Sequence, residues 1–87
     1  MSIPLKLRGP RTAKKNIAIS VTVINGSNGT AVQDAKVNAV NGESVVTGIT
    51  DRYGGAKLEL TEIGVYTVRG ARGTDIPSNV LKVDVSA

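Results

Sequence analysis

The segment Ile49 to Arg69, Ile-Thr-Asp-Arg-Tyr-Gly-Gly-Ala-Lys-Leu-Glu-Leu-Thr-Glu-Ile-Gly-Val-Tyr-Thr-Val-Arg, spells strand, turn, strand, turn, strand. Asp51 to Gly55 supplies a reversal through an Asp, whose side chain can bond nearby amides, and two glycines, which take dihedrals other residues avoid. Ala56, Leu58 and Leu60 then alternate with Lys57 and Glu59, the period of a strand with one buried face. Gly64 turns the chain again, and Tyr66 and Val68 alternate with Thr67 and Arg69. The unit is an antiparallel meander with one dry face and one wet one.

Outward from this segment the same period recurs. Ile17, Ile19, Val21 and Val23 share one face of a first long strand, which Ile24 ends, and Ala18, Ser20 and Thr22 share the other. Asn25 to Thr30 is dense in Asn, Gly and Ser and reads as a surface loop; no lysine-threonine pair or helix follows to make a phosphate cradle. Ala35, Val37 and Ala39 oppose Lys36 and Asn38 on the next strand, and Asn41-Gly42 predicts a type I′ hairpin with Ser44 to Thr50 as the return. Ala71 to Ser78 is a polar loop, after which Leu81, Val83 and Val85 alternate with Lys82 and Asp84. About seven short strands, with turn signals at roughly 8–12-residue spacing, predict an all-β, immunoglobulin-like antiparallel β-sandwich.

The charge is uneven. Residues 1–33 carry Lys6, Arg8, Arg11, Lys14 and Lys15 with no acid, so the net +4 of the chain comes from its beginning. Pro4, Gly9 and Pro10 keep that stretch out of a helix. The expectation is an extended basic arm over residues 1–15 and a sandwich over residues 16–87. Ile3, Leu5 and Leu7 alternate with Pro4 and Lys6, so the arm could add a strand to a sheet edge here or in a neighbour. The plain alternative is a solvated tail.

Composition removes whole classes of chemistry. With 87 residues, the chain is one domain that buries only about 60–65% of its unfolded surface. Cys and His are both missing, which removes the usual zinc ligand sets, Ser-His and Cys-His catalysis, and titration near neutral pH. Phe and Trp are missing too, so Tyr53 and Tyr66 are the only aromatics and a stacking platform for bases or sugars is poorly supplied. Asp51, Asp75 and Asp84 are scattered, unlike a calcium loop, and Glu59 with Glu62 flanks a strand end where a cleft is not expected. The expectation is no enzyme, no cofactor and no metal. The amino-terminal residues lack a signal-like apolar run and no segment could span a bilayer as a helix, so synthesis in the cytoplasm is expected, without membrane insertion.

The order of a polar loop followed by Ala35 and Val37, a Thr-Asp-x-x-Gly turn at Thr50, Asp51 and Gly54, and a Gly-x-Tyr-x-Val return at Gly64, Tyr66 and Val68 resembles the bacterial immunoglobulin-like and carboxypeptidase-regulatory-like sandwich modules. The resemblance covers roughly residues 17–85. It implies that Asp51, Gly54, Gly64 and Tyr66 are structural turn and core residues. Some related adhesin domains close an amide bond between a first-strand lysine and a last-strand asparagine; Ile17 to Ile24 contains no lysine, so Asn79 is not expected to be crosslinked. Such modules serve in adhesins, stalks, enzyme accessory domains and phage virions. A sandwich of this type without an export signal or cysteine suggests a virion structural protein: a capsid decoration protein of a tailed phage. Lys6, Arg8, Arg11, Lys14 and Lys15 would bind the major capsid protein or another virion protein, and the loops could make weak contacts with cell-surface polysaccharide. The alternative is a spacer or adhesion module at the bacterial cell surface. A nucleic-acid binder stands third, because the remainder of the chain is near neutral.

Overall fold

The computed structural model describes residues 2–87. Eight strands, and no helix among the described residues, form two facing sheets: β1 (Leu5–Arg8), β2 (Thr12–Lys14), β3 (Ala18–Asn25), β4 (Lys36–Asn41), β5 (Ser44–Ile49), β6 (Gly55–Glu59), β7 (Gly64–Ala71) and β8 (Leu81–Ser86). One sheet has the order β1-β3-β6 and the other β2-β8-β7-β4-β5. Pairing is antiparallel throughout except between β2 and β8, which run parallel.

Alternation explains the core. The inward set includes Leu5, Leu7, Val21, Val23, Val37, Ala39, Leu58, Tyr66, Val68, Val83 and Val85, all buried. Small inward residues on β4 leave room for the single aromatic in the interior, Tyr66, whose side chain is fully buried. Its hydroxyl accepts a hydrogen bond from the Glu62 amide at 3.0 Å and lies 3.1 Å from the Ser44 hydroxyl, so the ring ties the β6–β7 turn to the start of β5.

The amino-terminal residues are extended, but the boundary at residue 15 does not separate an arm from a sandwich over residues 16–87. Leu5 to Arg8 pair with β3, Arg8 opposite Thr22, and Thr12 to Lys14 pair with β8. The reason is burial: Leu5 and Leu7 enter the core, where a free arm would leave them in water. The chain changes sheets at Gly9-Pro10. A Cβ on Gly9 would stand 2.8 Å from Val21 Cγ1 and 3.0 Å from Leu81 Cδ2, so a side chain there would collide with the core it crosses.

Two further expectations change. Ile17 lies outside β3 and is 60% exposed, because Asn16 takes a left-handed φ of 62° and the strand begins only at Ala18. The β4–β5 hairpin is centred on Gly42-Glu43 rather than on Asn41-Gly42, since Asn41 pairs with Ser44. Of the two central residues only Gly42 has positive φ, the type II′ arrangement instead of type I′.

Thr50 is the buried polar hinge of the fold. Its hydroxyl accepts from the Ala35 amide at 2.8 Å and donates to the Val32 carbonyl at 2.6 Å, tying the loop before β4 to the turn after β5. Thr50→Val keeps the shape and deletes both bonds, leaving a buried donor and a buried acceptor without partners. A loss of about 1–3 kcal/mol is expected in a denaturant titration, and a change below about 0.5 kcal/mol would show that water reaches the site.

Candidate functional site

Five cations of the amino-terminal third are fixed by two short edge strands. Inward Leu5 and Leu7 force Lys6 and Arg8 onto the outer face of the three-stranded sheet. Half-buried Ala13 likewise turns Lys14 outward on the other sheet, with Arg11 and Lys15 exposed at either end of β2. Lys6, Arg8, Arg11, Lys14 and Lys15 therefore line one long edge of the sandwich, approached from both faces.

The ladder adds a cation that sequence reasoning did not assign. Arg8 stands opposite Thr22 on β3, Ser20 opposite Lys57 on β6, and Ser20 and Thr22 are successive outward positions of β3. Lys57 thus shares the outer face with Lys6 and Arg8, separated from them by short side chains. Its alternation in β6 was visible in the sequence; its register against β1 through β3 was not. Glu59 lies at the end of this face, opposite Ala18.

None of these cations makes an ion pair within 4 Å with an acidic side chain among the described residues. Among the described residues the ion pair within 4 Å is Arg72 with Asp75, at 2.8 Å, and it lies elsewhere. Lys14 Nζ donates to the backbone oxygen of Ala87, at 3.5 Å. Because the backbone beneath is a sheet, the charges are held in fixed spacing rather than on a loose tail.

The segment after β7 holds the edge in place. The Leu5 amide donates to the Ile76 carbonyl at 3.0 Å, and the Leu7 amide donates to Asn79 Oδ1 at 2.9 Å while Asn79 Nδ2 donates back to the Leu7 carbonyl at 3.3 Å. The Asn79 amide acts here as a one-residue strand partner. Asp75 Oδ1 accepts the Ile3 amide at 3.0 Å, and Arg72 also donates to the Gln33 carbonyl at 3.2 Å. The Ile3 amide, and then Arg72, hold the Asp75 carboxyl below its ordinary value of 3.8. A depressed folded value means that the contribution is complete above the ordinary value and lost as pH falls through the folded one. Acidification below 3.8 is therefore expected to speed hydrogen exchange at the Ile3 amide, and Asp75→Asn to abolish that pH dependence; an exchange rate insensitive to pH after correction for intrinsic chemistry would refute the anchor.

The remaining sequence candidates are dispersed. Asp51 Oδ1 accepts the Tyr53 amide at 2.9 Å and the Gly55 amide at 3.1 Å, so it serves its turn. Gly54 and Gly64 take φ of +79° and +126°, and Tyr66 is interior. Burial pushes the Tyr66 phenol up, but hydrogen bonding with Ser44 and with the Glu62 amide outweighs it and leaves the pKa below 10.0. Asp84 is on the outer face of β8 opposite Thr12, whereas Asp51 and Asp75 lie in turns, and among the described residues no group of three or more potential ligands converges on a metal position. An open depression of about 320 Å³ is lined by Asn41, Glu43, Ser44, Glu62 and Ile63. Tyr53 is 70% exposed, with the Arg52 guanidinium 5.0 Å from its ring centre.

No family model, no curated protein and no solved structure matches this chain.

Proposed function

We propose that this protein is a non-enzymatic binding module that lays its basic edge on an acidic protein surface, and that it is a small decoration protein on the outside of a tailed-phage capsid. The observation that carries the reading is the row of cations Lys6, Arg8, Arg11, Lys14 and Lys15 along one rigid edge, without carboxylate partners among the described residues. A sheet face with Lys6, Arg8 and Lys57 around Ser20, Thr22 and Ile24 suits apposition to another folded surface better than enclosure of a small substrate. The immunoglobulin-like assignment draws support from the parallel β2–β8 pair, the division of the amino-terminal strand between two sheets, and a core tyrosine bonded to the backbone upstream of its strand. Weak contacts from many copies on one particle would sum, and Tyr53, exposed in the β5–β6 turn, would add a weak saccharide contact.

The test is co-sedimentation of the chain with DNA-free capsids from the phage or prophage that carries the gene, with duplex DNA as a control. Saturable capsid binding is expected, weakened at least about tenfold in K6E/R8E and falling with salt. Binding to DNA in preference to capsids, with a steep salt slope, would replace the reading with a nucleic-acid one.

A second reading, an in-line spacer or adhesion module of a bacterial surface protein, is favoured by one feature. Ser2 bonds Thr74 at one end of the sandwich, while Ser86 bonds Lys15 near the β6–β7 turn at the other, so the chain ends leave opposite poles of a 41 Å long body. Failure to bind capsids, together with binding to cells, would select it.

A further inference from the structure

The two sheets have four edge strands, and the described residues deal with them unequally. The β1 edge is covered: Ile76 and Asn79 take up the Leu5 and Leu7 backbone groups. The β2 edge is three residues long and flanked by Arg11 and Lys15. The β6 edge carries Lys57 and Glu59, charges that discourage a neighbouring strand. None of these devices is present on β5. Its sequence, Ser-Val-Val-Thr-Gly-Ile, has no charge and no proline, and it is rich in β-branched residues.

The hairpin register fixes which β5 groups are free. Asn41 and Ser44 close a two-residue loop and so exchange hydrogen bonds, which makes Val46 and Gly48 the next residues bonded to β4. Val45, Thr47 and Ile49 direct their amides and carbonyls the other way, where they meet no partner among the described residues. Their side chains share the outer face, with Val45 60% and Ile49 58% exposed, and Val40 lies beside Val45 in the ladder.

We propose that β5 is the self-association edge of this protein: two copies pair β5 against β5, antiparallel, about a two-fold axis through Thr47. Thr47 is the middle of the three outward-bonding residues, so centring the axis there pairs all of them. Thr47 meets Thr47 of the second copy, and Val45 meets Ile49 on either side. All three are hydrogen-bonded pairs in this register, with matched side chains on one face. A slip by one residue would set outward-bonding groups against inward ones.

The charge distribution permits a second copy as the occupant, and the matched uncharged row on β5 favours it. Each chain carries +4, and its amino-terminal cations lie on β1 and β2, the edge opposite β5 in both sheets. Pairing through the uncharged edge keeps the two basic edges at the far ends of the dimer. An isologous contact also needs self-complementarity, which the Val45, Thr47, Ile49 row has about its own centre. The contact is a single six-residue edge from each copy, so the dimer is reversible and concentration-dependent.

The experiment is sedimentation equilibrium of the full chain over a concentration series into the millimolar range, with residue-resolved hydrogen exchange at both ends of the series. It is independent of what the basic edge binds. A monomer–dimer equilibrium is expected, with the Val45, Thr47 and Ile49 amides slowing as concentration rises. Thr47→Lys opposes two cations on the axis and is expected to weaken association by about tenfold or more. Val45→Lys, at a position already exposed, does the same should the first variant fold poorly. Lys82→Ala, on the outer face of β8 three strands away, leaves the dimer intact. A monomer at every concentration, a dimer whose β5 amides exchange freely, or a dimer retained by both lysine variants would overturn the proposal.

Discussion

Tyr66→Ala is expected to lose about 3–5 kcal/mol of stability, the usual cost of emptying an aromatic site in a packed core. A chain of 87 residues has a total of only about 4–13 kcal/mol. The variant is therefore expected to lie at or near the edge of folding at 25 °C. The site cannot collapse to fill the space, because Val68, Val83 and Ala39 beside it in the sheet belong to strands held in register on both sides. Tyr66→Phe separates size from hydrogen bonding: it keeps the ring and removes the acceptor for the Glu62 amide, at about 0.5–1.5 kcal/mol because Glu62 is exposed and its amide can be hydrated. Urea unfolding of both variants checks this. Equal losses in the two would mean that the hydroxyl, not the ring volume, dominates.

Gly54→Ala is the second large effect, at least about 2 kcal/mol. Two terms add. Gly54 has φ +79°, a conformation that costs an alanine about 1–2 kcal/mol. A Cβ there would also stand 2.5 Å from the Val23 carbonyl oxygen and 3.2 Å from the Val32 amide nitrogen. Those atoms are backbone and mutually bonded at 3.0 Å, and Val23 also donates to the Gly54 carbonyl at 2.8 Å, so relief of the clash breaks the junction of β3 with two loops. Gly73→Ala is the control, since its φ is +51° but nothing lies within 4 Å of the added carbon. The difference between the two variants in melting or denaturant midpoint measures the close approach alone. Equal losses would mean that the turn shifts freely and that the packing at Gly54 is unimportant.

Much of this architecture was legible because the meander obeys a single rule. Leu58, Leu60, Tyr66 and Val68 are buried where alternation puts them, and Asp51 bonds the amides of its own turn. Such signals are local: each depends on residues two to four positions apart. Ile17 shows where the rule stops, since it keeps the period of Ile19 and Val21 yet falls beyond the last paired residue. The hairpin centre moved by one residue for a similar reason. The Asn-Gly pair suits a turn, but the match of Val40 with Val45 and of Ala39 with Val46 sets the register, and the turn follows it.

The candidate site was legible only as a list of charges. Lys6, Arg8, Arg11, Lys14 and Lys15 stood out by count, and the alternation of Leu5 and Leu7 implied a strand without naming its partner. That partner depends on long-range contacts: β3 on one side, Ile76 and Asn79 on the other, more than sixty residues away in the chain. An all-β chain, its strand period, its turn residues and its lack of thiol and imidazole chemistry are legible in the residues, because these are set by composition and by nearest neighbours along the chain. That the basic stretch is part of both sheets, that Lys57 shares its face and that β5 is left open emerge only from the fold, because edges and faces exist only once distant strands have paired.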